Sequence, residues 1–255
     1  MIANYHTHTF RCGHAIDTER EYVENAIARG LKIFGFSDHT PQYFPGDYYS
    51  TFRMRPELLK NYCDTIRNLS RKYADRIAIP LGLELEYYPG LLPRLMPEIR
   101  DLGVEYLLLG QHFVGDEVGE HYCGYETADV SILKRYCHQT ADAMQTGMYT
   151  YFAHPDLLRF VGSESDFREQ MRFLCREAKG CGMVLEINLM GKWIGRNYPD
   201  RRFWEIAAEE GCQAIIGWDA HAPAHLHMPQ QEAAIAAMIQ ELGLDVVDNV
   251  ELRKF

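Results

Sequence analysis

The residues best equipped for chemistry in this 255-residue chain are histidines and carboxylates placed at the ends of short apolar runs. His6 and His8 follow Ile2–Tyr5, with His14 in the same loop, and Asp38 and His39 follow Ile33–Ser37. Glu84 and Glu86 close Ile77–Leu85, His112 follows Tyr106–Gly110, His154 follows Tyr149–Ala153, and Asp219 and His221 follow Ala214–Trp218. Seven of the eleven histidines are placed this way, whereas random placement would put most of them on helices and exposed turns. Alternate residues of an extended strand point to one side, so His6 and His8 can clasp one ion. Asp219-Ala220-His221 repeats that spacing with one carboxylate and one imidazole. Such donors suit zinc, manganese or iron, and the near absence of thiolate argues against a structural zinc. His6, His8, His14, His39, Glu84, His112, His154, Asp219 and His221 exceed one coordination shell, so two to three divalent ions are expected.

Strands must bring these residues together. The apolar runs above, with Val184–Asn188, make seven strand candidates. Amphipathic stretches at Asp17–Ala28, Pro56–Lys72, Leu91–Leu102, Asp129–Thr146, Glu164–Cys181, Arg201–Glu210 and Gln230–Leu242 alternate with them as helices. Gly30, Gly103, Gly147, Gly182, Gly211 and Gly243 stand just past the helix ends, where a left-handed cap suits glycine. Repeated β–α units imply a parallel sheet with helices outside it: a closed or nearly closed barrel first, an open doubly wound sheet second. In a barrel, the C-terminal ends of the strands converge on one face, which gathers ligands scattered through the chain. Neither G-x-G-x-x-G nor G-x-x-x-x-G-K-[ST] occurs, which weakens a nucleotide-fold reading.

Composition excludes several other classes. A hydrophobic fraction of 47% with 24% charged residues is ordinary for a globular chain with a substantial core, and no linker divides residues 1–255 into separate domains. No segment approaches the roughly 20 apolar residues of a membrane helix, and the N-terminus has no basic-then-apolar leader, so neither membrane insertion nor secretion is expected. A net charge of −10 without a basic run disfavours nucleic-acid binding. Bound ions would nevertheless make the local field at the site positive. The cysteines at 12, 63, 123, 137, 175, 181 and 212 contain no C-x-x-C pair and read as buried thiols in a reducing cytoplasm; Cys12 alone lies between candidate ligands. The oligomeric state is left open.

The segment Asn188–Pro199 follows the sixth strand and reads as a loop on the ligand face. Arg196 offers a planar fork for phosphate and Lys192 a point charge, so both are substrate-binding candidates, with Arg11 and Arg159 weaker ones on the same rim. Asp38 reads as a partner that orients His39, and Asp156 as a helix N-cap. The cluster Tyr43, Phe44, Tyr48, Tyr49 and Phe52 reads equally as a pocket wall, a lid or a partner surface, and His121, His138, His225 and His227 carry no assigned role.

The segments His6-Thr7-His8, Gly13-His14, Ser37-Asp38-His39, Gly82-Leu83-Glu84, His112, His154-Pro155-Asp156 and Asp219-Ala220-His221 resemble, in order, the motifs of the polymerase-and-histidinol-phosphatase (PHP) superfamily, over Met1 to about His221. Ser37-Asp38-His39-Thr40-Pro41 and the run from Gly82 to Gly90 are similar to stand-alone histidinol-phosphate phosphatases, with Glu86 where relatives often carry aspartate. The resemblance implies an α/β fold, a distorted seven-stranded (β/α)7 TIM-like barrel with its active site at the C-terminal strand ends. It also implies three ions: one on His6, His8, Glu84 and Asp219, one on Glu84, His112 and His154, and one on His14, His39 and His221. Glu84, Asp219 and His221 then count as catalytic, and the expected activity is hydrolysis of histidinol phosphate by a metal-bridging hydroxide. The alternatives are a PHP phosphoesterase acting on another phosphomonoester or a nucleotide phosphodiester, a non-catalytic metal-binding module, and an amidohydrolase on an eight-stranded barrel.

Overall fold

A computed structural model describes residues 1–255. The strands are β1 (Ala3–Asn4), β2 (Ile33–Phe34), β3 (Phe36–His39), β4 (Leu81–Leu85), β5 (Tyr106–Leu109), β6 (Phe113–Val114), β7 (His121–Tyr122), β8 (Tyr151–Phe152), β9 (Val184–Asn188), β10 (Gln213–Gly217) and β11 (Asp245–Val246). The helices are α1 (Glu19–Ala28), α2 (Leu59–Lys72), α3 (Leu92–Asp101), α4 (Val130–Gln145), α5 (Glu164–Gly180), α6 (Leu189–Trp193), α7 (Arg201–Glu210) and α8 (Pro229–Leu242). All seven expected helices are present within a few residues of their expected ends. Polar residues start them: Thr18 and Glu21 form a reciprocal capping box on α1, and the side chains of Asp129, Ser163 and Asp200 cap α4, α5 and α7. No helix is long and apolar enough to cross a membrane.

Seven strands form one parallel sheet in the order β11-β10-β9-β8-β5-β4-β3, while β1 pairs in parallel with β2 and β6 pairs antiparallel with β7. The sheet is not a continuously hydrogen-bonded barrel. The chain beyond β1 spans its gap: His8 N–H donates to the Ala220 carbonyl at 2.9 Å, Ala220 N–H to the His6 carbonyl at 3.2 Å, and Ser37 N–H to the Thr7 carbonyl at 2.9 Å. The expected strand Ile33–Ser37 is broken into two short pieces and runs on to His39. The expected strand Ile77–Leu85 shortens to Leu81–Leu85, because Pro80 supplies no ladder donor.

Period-two alternation sorts the strand residues between two faces. Leu107 and Leu109 join the large core under the helices. Tyr106 and Leu108 face the other way, with Ala3, Tyr5, Tyr151, Ala153 and Ile215. On this inner face the Tyr5 ring meets those of Tyr106 and Tyr151 edge-on, at centroid distances of 5.7 and 6.4 Å. Tyr106 OH donates to the carbonyls of Tyr5 at 2.7 Å and Phe36 at 3.0 Å, tying the β1 segment to β3. This aromatic plug fills the interior below the strand ends and leaves the ligand residues on top.

Candidate metal centre

The nine candidate ligands meet above the plug. Glu84, the last inward-facing residue of β4, stands at their centre with its side chain almost wholly buried. Glu84 Oε1 is 2.8 Å from His154 Nε2 and 3.7 Å from His112 Nε2. Glu84 Oε2 is 2.9 Å from His39 Nδ1 and 3.6 Å from both His6 Nε2 and His8 Nε2. Asp219 Oδ1 faces the same two rings, 3.4 Å from His6 Nε2 and 3.0 Å from His8 Nε2. At the outer edge, His14 and His221 bring their Nε2 atoms within 3.0 Å.

These atoms are arranged as donors to cations. His39 Nδ1 and Glu84 Oε2 lie 2.9 Å apart and His8 Nε2 lies 3.0 Å from Asp219 Oδ1, yet none of these buried atoms of His8, His39 and Glu84, nor His6 Nε2, is aligned for a hydrogen bond, a costly condition in a protein interior. Ligands about 2.1 Å from one ion lie roughly 3.0–3.4 Å apart at octahedral or tetrahedral angles, close to the spacings found here. The sets His6–His8–Asp219, His6–Glu84–His154, His8–His39–Glu84 and His14–His39–His221 each bring their donor atoms within 4.8 Å of one another, so the residues fit more than one divalent ion. Cys12 also lies within that range of His8 and His221.

Hydrogen bonds behind the site select the donor nitrogens. His6 Nδ1 is 2.8 Å from Glu186 Oε1, and His112 Nδ1 is 2.9 Å from Glu86 Oε1, so each ring directs Nε2 inward. His14 Nδ1 and His221 Nδ1 face the carbonyls of Cys12 and Asp219 at 3.2 and 2.9 Å. Asp38 departs from expectation: its carboxylate accepts the His39 backbone N–H at 2.9 Å, but the ring it faces is that of His8, at 3.4 Å.

The field of the site favours cations. Burial disfavours charge on His6 and His8, yet Glu186, Asp219 and Glu84 outweigh it for His6, holding that ring well above the usual imidazole range. Asp219 and Asp38 raise His8 to about 9 against the same burial. Burial and the neighbouring His8 push His39 and His221 well below their usual range. Burial would raise the carboxyl of Glu84, but His112, His39 and His6 hold it well below the usual range, and His6 and His8 do the same for Asp219. His154 and Asp219 have φ of 34° and 51°, left-handed backbone at two non-glycine residues just beyond β8 and β10.

A cavity of about 550 Å³ opens beside this cluster. His14, His39, His112, His154, Asp219 and His221 line it together with Phe52, Phe113, Tyr122, Leu157 and Tyr198. Arg196 lines this cavity and a second one beside it, which Arg159 also lines. Lys192 does not reach either: the Asn188 side chain caps α6 where a loop was expected, and the helix carries Lys192 outward. Arg11 is no rim residue, because it is buried and bonded to Glu19, Asn61 and Thr65. Of the aromatic cluster only Phe52 reaches the cavity, while Tyr43 and Phe44 line a separate surface cleft. Asp156 caps no helix; its carboxylate accepts from Asp200 N–H at 2.6 Å and Trp204 Nε1–H at 3.0 Å. His225, assigned no role from sequence, lines the cavity and accepts the His221 backbone N–H at 3.1 Å.

Glu186 was also missed. Its signal was a lone carboxylate inside the otherwise apolar Val184–Ile187 run, with the parity of the inward face.

Residues 4–189 match the PHP domain, well over half of the chain. The chain belongs to the PHP domain family. It is 40% identical to a probable phosphatase of Clostridium botulinum over 98% of this chain and 91% of that protein. It is 29% identical to a probable histidinol-phosphatase of Deinococcus radiodurans over 87% of each chain. Among solved structures, histidinol phosphate phosphatase from Lactococcus lactis, complexed with zinc, L-histidinol and phosphate, superposes with a TM-score of 0.73 at 21% identity, over 96% of this chain and 95% of that one. The likeness of that fold agrees with the distorted barrel, seven parallel strands with an incomplete closure, described above.

Proposed function

We propose that this PHP protein is a metal-dependent phosphomonoesterase that hydrolyses L-histidinol phosphate to histidinol and phosphate. The observation that carries the reading is the buried Glu84 carboxylate, both of whose oxygens face histidine nitrogens, several of them without other partners, beside a cavity with a free guanidinium. Two to three divalent ions, zinc, manganese or iron, would be held by His6, His8, Asp219 and Glu84, by Glu84, His112 and His154, and by His14, His39 and His221. Such ions lower the pKa of water toward about 7 and offset charge on phosphoryl oxygens.

The chain's own groups do the rest. Arg196 seats a phosphate oxygen with its planar fork. Phe52, Phe113, Tyr122 and Tyr198 surround the leaving group and keep bulk water from the ester. The lining holds no Ser, Thr or Cys, and its Asp219 and all of its histidines but His225 are assigned to the ions, which favours direct attack of water on phosphorus over a covalent phosphoenzyme. The bond from phosphorus to the water oxygen forms, the ester P–O bond breaks, and the departing alcohol takes a proton.

The test is phosphate release from L-histidinol phosphate by metal-reconstituted protein, beside other phosphomonoesters and a bis-ester, with Glu84→Ala as control. Preference for histidinol phosphate, abolished together with bound metal in Glu84→Ala, supports the reading. Near-normal turnover in Glu84→Ala overturns it. The high identity to a relative known only as a probable phosphatase favours one second reading, a different phosphomonoester at the same site. Activity confined to other monoesters would establish it.

A further inference from the structure

We propose that Arg53 is a positioning residue that couples the aromatic wall of the cavity to His112; the inference rests on His112 serving as a metal ligand. Arg53 lies between β3 and α2 and is almost fully buried. Its Nη1 and Nη2 donate to Glu86 Oε2 and Oε1 at 2.7 and 2.9 Å, a two-pronged grip on one carboxylate. Nε and Nη2 donate to Glu117 Oε2 at 2.9 and 2.6 Å, and Nη1 also donates to the Thr40 carbonyl at 3.3 Å. All five N–H groups of the guanidinium are thereby used.

Each carboxylate then leads somewhere different. Glu86 Oε1 also accepts from His112 Nδ1, which leaves Nε2 for the site. Glu117 lies between β6 and β7, the hairpin that contributes Phe113 and Tyr122 to the cavity, and also accepts from Tyr48 OH at 2.8 Å. The guanidinium sits 4.4 Å from the centroid of Phe52, which stacks on Phe113 at 6.0 Å and meets the His112 ring at 5.7 Å. One cation therefore fixes the wall against which a leaving group rests and the carboxylate that aims His112.

A buried arginine between two glutamates could serve folding alone. Geometry favours positioning: the Glu86 oxygen gripped by Nη2 is the same atom that bonds the His112 ring. Lysine at position 53 keeps the charge but not the fork.

The experiment uses the full chain, stripped of metal and titrated with zinc by calorimetry, with the His112 Nδ1–H signal followed in ¹⁵N-histidine-labelled protein. In Arg53→Lys, the weakest-held zinc should bind about 10–100-fold less tightly. The His112 signal should shift, and kcat should fall more than KM rises, with partial recovery in excess zinc. Glu117→Gln, which keeps the Glu86 grip, should move the same readouts less and raise KM; it carries the test if Arg53→Lys does not fold. Wild-type zinc binding and an unmoved His112 signal in the variant that folds overturn the proposal, whatever its Tm. His112→Ala is the control. Normal zinc binding there rejects His112 as a ligand and the proposal with it, whereas weakened binding there with a normal Arg53→Lys rejects the role of Arg53 alone.

Discussion

His14 Nε2 and His221 Nε2 face each other at 3.0 Å while each ring turns Nδ1 toward a backbone carbonyl. Three contacts need three protons, and two neutral rings carry two. Burial and the nearby His8 lower both rings, so a third proton is disfavoured and one contact stays frustrated. A cation between the two Nε2 atoms resolves this, since ligands about 2.1 Å from an ion at right angles lie roughly 3.0 Å apart.

Removing metal should therefore cost stability throughout the centre. A ligand present at 1,000 times its Kd contributes about 4 kcal/mol, so chelation should lower Tm by many degrees and readdition restore it. His221→Ala should behave asymmetrically: it loses part of the metal-dependent gain, yet the stripped variant should melt within a few degrees of stripped wild type, because the frustrated contact is gone. Thermal melts with and without chelator measure both. A Tm indifferent to chelation in wild type would sink the metal centre.

Glu186 is acceptor-only to four neighbours. Oε1 takes the His6 ring and Tyr151 OH, and Oε2 takes the His154 backbone N–H and the Asn188 amide. Glutamine can serve only one of these oxygens and turns an NH2 against donors at the other. Glu186→Gln should weaken metal binding by about 10–100-fold with the fold retained. Zinc titration of the stripped protein checks this, and an unchanged affinity would dismiss Glu186 as an orienting group.

Much of this centre was legible in the sequence, and the reason is geometric. Residues at the C-terminal ends of parallel strands converge, so locating the strand ends was enough to gather His6, Glu84, His154 and Asp219. The supporting shell follows no such rule. Arg53 and Glu117 lie in irregular segments, and His225 reaches the cavity through the turn at Pro223–Leu226, which no periodicity announces. Lys192 shows the converse: a loop reading left its side chain free to point inward, and one cap hydrogen bond from Gly191 N–H to the Asn188 side chain builds a helix that points it away. A nearly closed, distorted barrel was expected, but the place of its gap was hidden, because it is bridged by single backbone bonds rather than by a strand-length pattern.

Arg196 and Lys192 make a paired prediction. Arg196 lines the cavity and has no acidic partner within the chain, so Arg196→Ala should raise KM for a phosphomonoester by roughly tenfold, the loss of one charge-assisted hydrogen-bonded contact of about 1.5 kcal/mol, and leave bound metal unchanged. Lys192→Ala should leave both unchanged. Steady-state kinetics with metal analysis of the same samples decide. An equal effect of the two substitutions would mean that bulk positive charge, not a seated fork, draws the substrate.

Gly110 tests how tightly the centre is built. It follows β5 on the inward face, and a Cβ there would overlap the carboxylate of Glu84 itself. Its φ is not in the left-handed region, so alanine meets no backbone penalty and any effect must come from displacing Glu84. Overpacking of this kind costs about 1–3 kcal/mol, yet the functional loss should be larger than that suggests, because Glu84 faces donors on both of its oxygens. Gly110→Ala should fold with a modestly lower Tm, bind metal more weakly and lose most of its turnover. Gly90→Ala, where a Cβ meets nothing within 4 Å, is the matched control and should change none of these. A Gly110→Ala protein with full metal content and full activity would show that Glu84 can shift without cost, and would count against the proposal that ions share this carboxylate.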